Sequence, residues 1–414
     1  MVSAISGRLR WRGSTASARR GKAGGLGPTG YGNSPYQSLS SFAGNELLIS
    51  PDGLIEDGLL RASDCEGRAF SSTAIDYDTV IPFKQRLLET AWIDFKAGAR
   101  PDLRLAFDQF RLDQRHWLED YALFRALKVR YKGACYLAWP AELVQRNLAD
   151  LALARGELAD QIEQVCLAQF LLFRQGGRLR EHAAAKGVRL IGDLPFFVSS
   201  DSSDVWANPD LFLLDEKHRP RVIAGVPPDY FSIQGQLWGN PIYDWDAVSR
   251  TGYRWCIDRL RALLAHVDII RLDHFRAFAA AWHIPAGAPT AQTGQWVPGP
   301  GADFFSRAEK ELGALPFIAE DLGLITPDVG TLRDRFGLPG MRVLQFAFDG
   351  KPDNSHLPRN YTPNTVVYTG THDNPTTRGW FEDLPDQQRR NLWNYLKRPA
   401  GEGSEVASAL INLA

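Results

Sequence analysis

The sequence has few cysteines, no long apolar run and no excess of one charge. Four cysteines, Cys65, Cys135, Cys166 and Cys256, are scattered singly among 414 residues without a CxxC pair. A disulfide framework and a zinc knuckle are therefore poorly supported, and a reducing compartment is expected. No apolar run approaches the ~18 residues of a membrane span. The 47 basic residues nearly cancel the 48 acidic ones, which leaves no global attraction to nucleic acid or to an anionic membrane.

Common cofactor signatures are also missing. No GxGxxG follows a predicted strand, and GxxxxGK[ST], HExxH and DxDxDG spacings are absent, which weakens nucleotide-binding and metal-dependent interpretations. The length allows two or three average domains, or one large α/β barrel with insertions. The 12 Trp and 22 Phe suit binding of flat apolar faces such as those of sugars, although core packing explains most aromatic residues.

The N-terminal segment differs from the rest of the chain. No acidic residue precedes Glu46, and basic residues are interspersed there with Ser, Ala and Gly. The composition resembles a transit peptide, and no apolar segment of a secretory signal follows. We expect residues 1–25 to be disordered and the protein to be cytoplasmic, with a plastid location as the alternative.

The remainder has a helical pattern followed by a strand pattern. Between about residues 75 and 186, apolar residues recur at helical spacing and predict amphipathic helices packed on a core. Later, short apolar runs separated by longer segments indicate parallel strands buried on both faces. These runs cover residues 188–193, 266–273, 315–321, 341–348 and 365–373. Such alternation favours an α/β fold, either a TIM-type barrel or a doubly wound sheet.

Four of the five runs end on carboxylates. The acidic residues are Asp193, Asp273, Glu320 with Asp321, and Asp373. One acidic residue after a strand is an ordinary helix cap, but four such strand ends are not explained by capping. In a parallel barrel the chemistry lies at the carboxyl ends of the strands, so these residues predict an active site.

The neighbours of two of these carboxyls give them different predicted chemistry. Arg271 and Asp273 share one face of a strand, and the guanidinium is predicted to lower the pKa of Asp273, as suits a nucleophile. Glu320 follows the apolar residues 317–319, where desolvation is predicted to raise its pKa, as suits a general acid. Such a pair is typical of glycoside chemistry, which retains the anomeric configuration when the two carboxyl groups lie ~5–5.5 Å apart. A metal site is the competing interpretation of these Asp and His clusters.

The segment from about residue 221 to 241 is rich in Gly, Pro and aromatic residues. Tyr230, Phe231 and Trp238 offer flat faces to sugar rings, which predicts a lid loop above the active site. An Ω-loop packed on its own aromatic residues is the alternative interpretation.

Several segments carry a family signature. They include LGPTGYGNSPYQSLSSFAGN from Leu26, IGDLPFFV from Ile191, IIRLDHFRAF from Ile269, AEDLG from Ala319 and YTGTHDN from Tyr368. The most specific are VPPDYF with WGNP and GLPGM with VLQFAF. From Leu26 to the C-terminus the chain resembles the 4-α-glucanotransferases, the amylomaltases or disproportionating enzymes of glycoside hydrolase family 77.

This resemblance implies a (β/α)8 barrel with helical insertions over residues 26–414. It implies transfer of α-1,4-glucan segments between maltooligosaccharides through a covalent glucosyl-enzyme, without metal or organic cofactor and with neither nucleic acid nor membrane as partner. At the matching positions, Asp273 would be the nucleophile, Glu320 the acid/base and Asp373 a third carboxylate. The residues implied to bind substrate are Arg271, His274, His372, Asp193, Tyr230, Phe231, Trp238, Ser34 and Tyr36.

The sequence departs from the family pattern at both ends. The first two strands, with their HPTSLPG-like motif, and the last strand are not recognisable, and Pro375 replaces the acidic residue expected after THDN. We therefore expect an incomplete barrel with open sheet edges, poor folding and low activity. An inactive or merely glucan-binding remnant and an α-glucan hydrolase remain the alternatives to an active transferase.

Overall fold

The structure, a computed structural model, describes residues 20–22, 25–67, 69–98, 100–228, 232–399 and 401–414. It divides into two compact units. The first unit holds the described residues up to Ile270 together with Ala281–Val297, and the second holds Arg271–Ala280 together with Pro298–Ala414. None of the described helices is long and apolar enough to cross a membrane.

Most of the regular secondary structure described in the first unit is helical. The helices are α1 (Pro51–Glu56), α2 (Tyr77–Lys96), α3 (Pro101–Arg130), α4 (Ala141–Val144), α5 (Leu148–Glu157), α6 (Ala159–Ala185), α7 (Ser203–Ala207), α8 (Trp245–Arg250) and α9 (Arg254–Leu264). The helical pattern predicted from about residue 75 to 186 is thus present as α2 to α6. Helix α3 begins with Pro101 and Asp102, which suit a helix N-terminus. Among its apolar side chains, Phe107 and Phe124 are fully buried whereas Leu105 and Leu112 are exposed, so packing accounts for the periodicity on the buried face.

Seven strands have residues in the first unit. They are β1 (Arg20–Lys22), β2 (Arg189–Leu194), β3 (Val222–Val226), β4 (Gln236–Pro241), β5 (Ile269–Leu272), β6 (Ala280–Pro285) and β7 (Gln295–Pro298). Three of them, β5, β6 and β7, also have residues in the second unit. Strand β1 pairs in parallel with β2; residues 1–19, 23 and 24 of the segment expected to be disordered lie outside the described residues. A three-residue strand is too short to show alternation, and its backbone ladder with β2 is what holds it.

The segment predicted as a lid loop contains a hairpin instead of one continuous loop. Strands β3 and β4 pair antiparallel, with a bulge between Ile223 and Gly225, in a four-stranded sheet of order β4-β3-β6-β7. A Cβ at Gly225 would lie 2.1 Å from the carbonyl oxygen of Gln236, so glycine is required where the two backbones approach. The glycines and prolines that predicted a loop therefore include one that permits strand pairing.

Parallel strands also organise the second unit. Its elements are α10 (Gly301–Leu312), β8 (Phe317–Ala319), α11 (Pro327–Arg335), β9 (Gly340–Val343), β10 (Thr365–Tyr368), α12 (Thr377–Asp383), α13 (Asp386–Leu396) and α14 (Gly403–Leu413). The Glu320 amide donates to the Leu272 carbonyl at 3.1 Å, and the Ala319 amide donates to the Pro339 carbonyl at 2.9 Å. Strand β10 pairs in parallel with β9. The end of β5, then β8, β9 and β10 therefore lie side by side in chain order.

One predicted strand is shorter than expected. The apolar run 341–348 is extended only to Val343, and Leu344–Phe346 forms a 3-10 turn. Leu344, Ala347 and Phe348 are all buried in one apolar cluster with α12, α13 and α14. A helical turn brings all three to one side, whereas strand alternation would direct Ala347 to the face opposite Leu344 and Phe348.

This cluster is the core of the C-terminal part of the second unit, and Leu392 lies fully buried within it. We predict that Leu392→Ala lowers the free energy of unfolding by ~2–5 kcal/mol, through lost apolar burial and the cavity left behind. Ile411→Ala, at a side chain that is 63% exposed on α14, is the control and should change it by less than ~0.5 kcal/mol. Urea denaturation measures both; equal effects would contradict the assignment of this core.

Candidate active site

Two neighbouring parallel strands bring the first pair of predicted carboxyls together. Asp273 follows the last residue of β5, and Glu320 follows the last residue of β8. The two backbones are joined where the Glu320 amide donates to Leu272 and the Phe275 amide donates to Glu320. Adjacent strands lie ~4.8 Å apart, so both side chains start from the same edge of the sheet.

Asp273 is ion-paired with a buried arginine. The Arg271 Nη2 lies 2.9 Å from Asp273 Oδ1, with the Arg271 side chain 3% exposed and that of Asp273 24% exposed. The pairing predicted from strand alternation is confirmed. A buried guanidinium needs a counter-charge, so this contact favours the ionised form of Asp273.

Glu320 is half-buried and held by backbone donors. Its Oε2 accepts a hydrogen bond from the His274 amide at 2.8 Å, and its Oε1 accepts one from the Leu322 amide at 2.9 Å. Burial, reinforced by the negative charge of Asp273, raises the pKa of Glu320 to about 8, against the opposing influence of Arg271 and the two amides. The predicted rise is confirmed, and the carboxyl holds a proton at neutral pH.

His274 links the two strands through its backbone. Its φ of 48° lies in the left-handed region, which is strained for a residue with a Cβ. Its amide is the one that donates to Glu320. Burial, together with the positive charge of Arg276, lowers the pKa of the His274 ring to about 4, so the imidazole is neutral at pH 7.

Arg276 is a positioning residue that the sequence analysis missed. Its buried guanidinium donates to the Leu324 carbonyl at 2.7 Å and to Thr326 Oγ1 at 3.2 Å. These contacts fix the loop that follows Glu320. The signal was present within the motif IIRLDHFRAF, but an arginine in a turn is ordinary, and only the fold shows what it reaches.

The third predicted carboxylate lies in a more open setting. Asp373 follows β10 on a turn, its side chain is 72% exposed, and its Oδ1 lies 3.4 Å from the His372 Nε2. Asn374 closes the turn, because its Oδ1 accepts from both the amide and the hydroxyl of Thr371 at 2.9 Å.

The position of Pro375 is fixed by a residue that the sequence did not single out. The buried Gln345 donates through Nε2 to the Pro375 carbonyl at 3.1 Å. The Gln345 amide donates in turn to the Thr369 carbonyl. Gln345 therefore holds the segment bearing Asp373 at two points, one on each side of the THDN turn.

The other predicted substrate residues belong to the first unit. The Tyr36 hydroxyl donates to Asp193 Oδ2 at 2.8 Å, and the Asp193 side chain is buried. Ser34 Oγ accepts from the Tyr36 amide at 3.2 Å, so it orients the tyrosine. Tyr36 and Asp193 line a cavity of about 60 Å³.

Of the three predicted lid residues, Trp238 is the one that the structure describes. Trp238 is half-buried, its Nε1 donates to Gln236 Oε1 at 3.0 Å, and its ring lies 6.4 Å from that of Phe197. Tyr230 and Phe231 lie outside the described residues.

Asp321, the neighbour of Glu320, belongs to a different environment. Its buried carboxylate pairs with Arg333 and Arg342 and accepts from the Met341 amide. It joins β8 to α11 and β9, which is a structural role. Within the part of the chain that the structure describes, no group of three or more His, Cys, Asp or Glu is arranged to hold a metal ion.

We predict that Asp321→Asn destabilises the protein by ~3–5 kcal/mol, because two largely buried guanidinium groups lose their buried counter-charge while the side-chain volume is kept. Asp334→Asn is the matched control: Asp334 pairs with the same Arg333 but its side chain is 67% exposed. The control should cost less than ~1 kcal/mol. Chemical denaturation compares the two, and similar losses would contradict the structural role of Asp321.

Glu320 should also make stability depend on pH. Because its folded pKa of about 8 exceeds the ordinary value near 4.3, the folded state binds the extra proton between these values. Its contribution is therefore fully present at low pH and is lost as pH rises toward 8. We predict that Glu320→Gln is more stable than the parent above pH 8, on the order of a few kcal/mol, and that the difference shrinks toward pH 4.5. Thermal denaturation across this range measures it, and a constant difference would contradict the raised pKa.

Comparison with known proteins identifies the family of this chain. A family model of the 4-alpha-glucanotransferases, glycoside hydrolase family 77, matches residues 17–414. A 4-alpha-glucanotransferase from Thermus thermophilus is 48% identical over 94% of this chain and 78% of its own length. A chloroplastic/amyloplastic 4-alpha-glucanotransferase from Arabidopsis thaliana is 41% identical over 94% of this chain and 67% of its own length.

The fold comparison agrees with the sequence comparison. The amylomaltase from Streptococcus agalactiae, solved in complex with acarbose, is 35% identical and superposes with a TM-score of 0.90. The match covers 95% of this chain and 79% of that one. The family match extends upstream of Leu26, where the resemblance was expected to begin. The chain belongs to glycoside hydrolase family 77, the 4-α-glucanotransferases.

Proposed function

We propose that this chain is a retaining 4-α-glucanotransferase in which Asp273 is the nucleophile and Glu320 the acid/base. The observation that carries the proposal is the contrast between the two carboxyls. Glu320 has a pKa raised to about 8, whereas Asp273 contacts the Arg271 guanidinium at 2.9 Å. Two carboxyls with opposite protonation at one sheet edge are what double displacement at a sugar requires.

In the first step, the Glu320 carboxyl gives its proton to the oxygen of an α-1,4 bond while an Asp273 oxygen attacks the anomeric carbon. The glycosidic bond breaks, the leaving chain departs with a free 4-hydroxyl, and a glucosyl ester forms on Asp273. Loss of its proton leaves Glu320 as a carboxylate beside the newly neutral ester. Removal of the neighbouring negative charge makes the ionised form of Glu320 less unfavourable at that moment.

In the second step, Glu320 takes the proton from the 4-hydroxyl of an acceptor glucan, whose oxygen attacks the anomeric carbon and releases Asp273. Two inversions restore the α-configuration. His274 and His372 would bind donor-sugar hydroxyls, and the low pKa of His274 keeps its ring neutral for such contacts. Asp373 would grip sugar hydroxyls as the ring flattens. We assign Tyr36, Asp193, Ser34 and Trp238 to glucan binding by family resemblance.

The finer fold assignment is also a proposal. Parallel strands β8, β9 and β10 in chain order, with candidate residues after their carboxyl ends, are typical of a TIM-type barrel. The cytoplasm is the proposed compartment, supported by four free cysteines. A plastid is the alternative, since the Arabidopsis relative is named as chloroplastic/amyloplastic.

Disproportionation of maltotriose tests the activity. We expect glucose to appear while the total number of reducing ends stays constant, because transfer conserves reducing ends and hydrolysis creates one per event. Glu320→Gln should lower kcat by ~10²–10⁴, and Asp273→Asn should lower it at least as much. The control is Asp386→Asn, at a side chain 80% exposed on α13, which should keep full activity.

The roles of the two carboxyls are separated by a substrate that needs no acid. With α-glucosyl fluoride, Glu320→Gln should form the ester on Asp273 and then stall, so mass spectrometry should find one added glucosyl group on the peptide containing Asp273.

In the maltotriose assay, growth in reducing ends equal to the glucose released would favour a hydrolase. Absence of turnover in the folded parent would favour a glucan-binding remnant, and an adduct on another residue would overturn the assignment of Asp273.

A further inference from the structure

A second polar cavity lies on the antiparallel sheet of the first unit. Its volume is about 460 Å³, and it is lined by Leu213, Arg221, Val222, His283, Pro285, Thr293 and Gln295. None of these residues is used in the proposed reaction. The volume falls within the range of small-molecule sites.

The sheet directs these side chains to one face. Across the β3–β6 pair, Val222 lies opposite Pro285 and Ala224 lies opposite His283, so Val222, His283 and Pro285 share a face. Trp282 points to the other face, where its ring lies 5.2 Å from that of Trp296. Gln295, next to Trp296 on β7, is thereby directed to the cavity side.

His283 forms the floor of the cavity. The residue is only 7% exposed, and burial lowers the pKa of its ring. Its imidazole makes no hydrogen bond or ion pair with any residue that the structure describes, although buried polar side chains are normally satisfied. A neutral imidazole supplies one donor and one acceptor, so the floor offers hydrogen bonding that the protein does not use.

The rim is polar and carries one positive charge. The side chains of Arg221, Thr293 and Gln295 are exposed and, among described residues, form no ion pair or hydrogen bond. No Asp or Glu lines the cavity. Arg221 is anchored by its backbone, since its carbonyl accepts from the Ala286 amide at 3.1 Å. Arg221 and His283 therefore line one cavity, the first with an exposed guanidinium and the second with a buried imidazole.

We propose that this cavity binds a phosphate group, free or as the ester of a small molecule such as a hexose. A guanidinium donates two parallel hydrogen bonds to a phosphate, and hydroxyl, amide and imidazole groups supply further donors. The cavity is larger than a bare phosphate needs, which favours an ester. The proposal is independent of the transferase assignment.

The imidazole also gives the site a pH dependence. Arg221 is the only other titratable or charged group among the lining residues. A bound anion stabilises the protonated imidazole, so binding should tighten as pH falls from 8 to 6. A phosphate ester itself titrates near pH 6, whereas the charge of sulfate is constant there. Sulfate is therefore the probe for this comparison.

Calorimetric titration of the full chain with inorganic phosphate, glucose 6-phosphate, glucose 1-phosphate and glucose tests the proposal. We expect the two glucose phosphates, or inorganic phosphate, to bind at this site. Glucose, which has no phosphate group, should not bind there. Arg221→Gln should weaken binding at least about tenfold, as expected for loss of a charged hydrogen bond. Arg219→Gln is the matched control, because Arg219 is two residues away and pairs with Asp215 instead, and it should bind like the parent.

His283→Gln should remove the pH dependence of sulfate binding. The imidazole NMR signal of His283 is identified by its absence from that variant, and it should shift when the parent is titrated with sulfate. Thermal denaturation verifies that each variant is folded, and if His283→Gln is not, the NMR titration of the parent decides. Tighter binding of an ester than of phosphate identifies the ester as the ligand, and the reverse identifies the free ion. Equal weakening by both arginine variants, equal binding of glucose, or no binding by the folded parent would overturn the proposal.

Discussion

The chemistry proposed for the second unit depends on one buried positive charge, that of Arg271, which contacts one of two neighbouring carboxyls and not the other. Arg271 contacts Asp273 and is almost completely buried, so its charge is largely compensated there. Glu320 lies beside a negative neighbour, and burial together with that charge raises its pKa to about 8. Two side chains with the same functional group thereby meet different surroundings, one in contact with a guanidinium and the other beside a carboxylate. The proposed chemistry follows from this asymmetry.

The asymmetry needs a rigid backbone. The Glu320 carboxyl is fixed by two amides, one of which belongs to His274 in a left-handed conformation. That conformation is strained, and the backbone bonds between β5 and β8 on either side of it hold it in place. Arg276 adds a tie to the loop after Glu320. Side-chain chemistry at this site is therefore an outcome of main-chain pairing.

Adjacent residues in a strand end can serve unrelated purposes. Glu320 is a half-buried and Asp321 a buried carboxyl, and successive side chains point to opposite faces. Asp321 meets Arg333 and Arg342 and joins three elements, while Glu320 meets only backbone donors. The same alternation on the antiparallel sheet separates His283 from Trp282. Strand geometry thus distributes polar groups between stabilisation and binding.

The sequence by itself determined the helical stretch, most of the parallel strands, the family and the Arg271–Asp273 pairing, because these depend on local periodicity and on the two-residue repeat of a strand. It also predicted the raised pKa of Glu320 from its apolar neighbours. The tertiary structure alone decided that residues 222–241 contain a hairpin, that residues 20–22 pair with β2, and that Gln345 and Arg276 hold the site loops. Those features depend on contacts between residues distant in the chain, and single side chains such as Gln345 give no periodic signal of what they will meet.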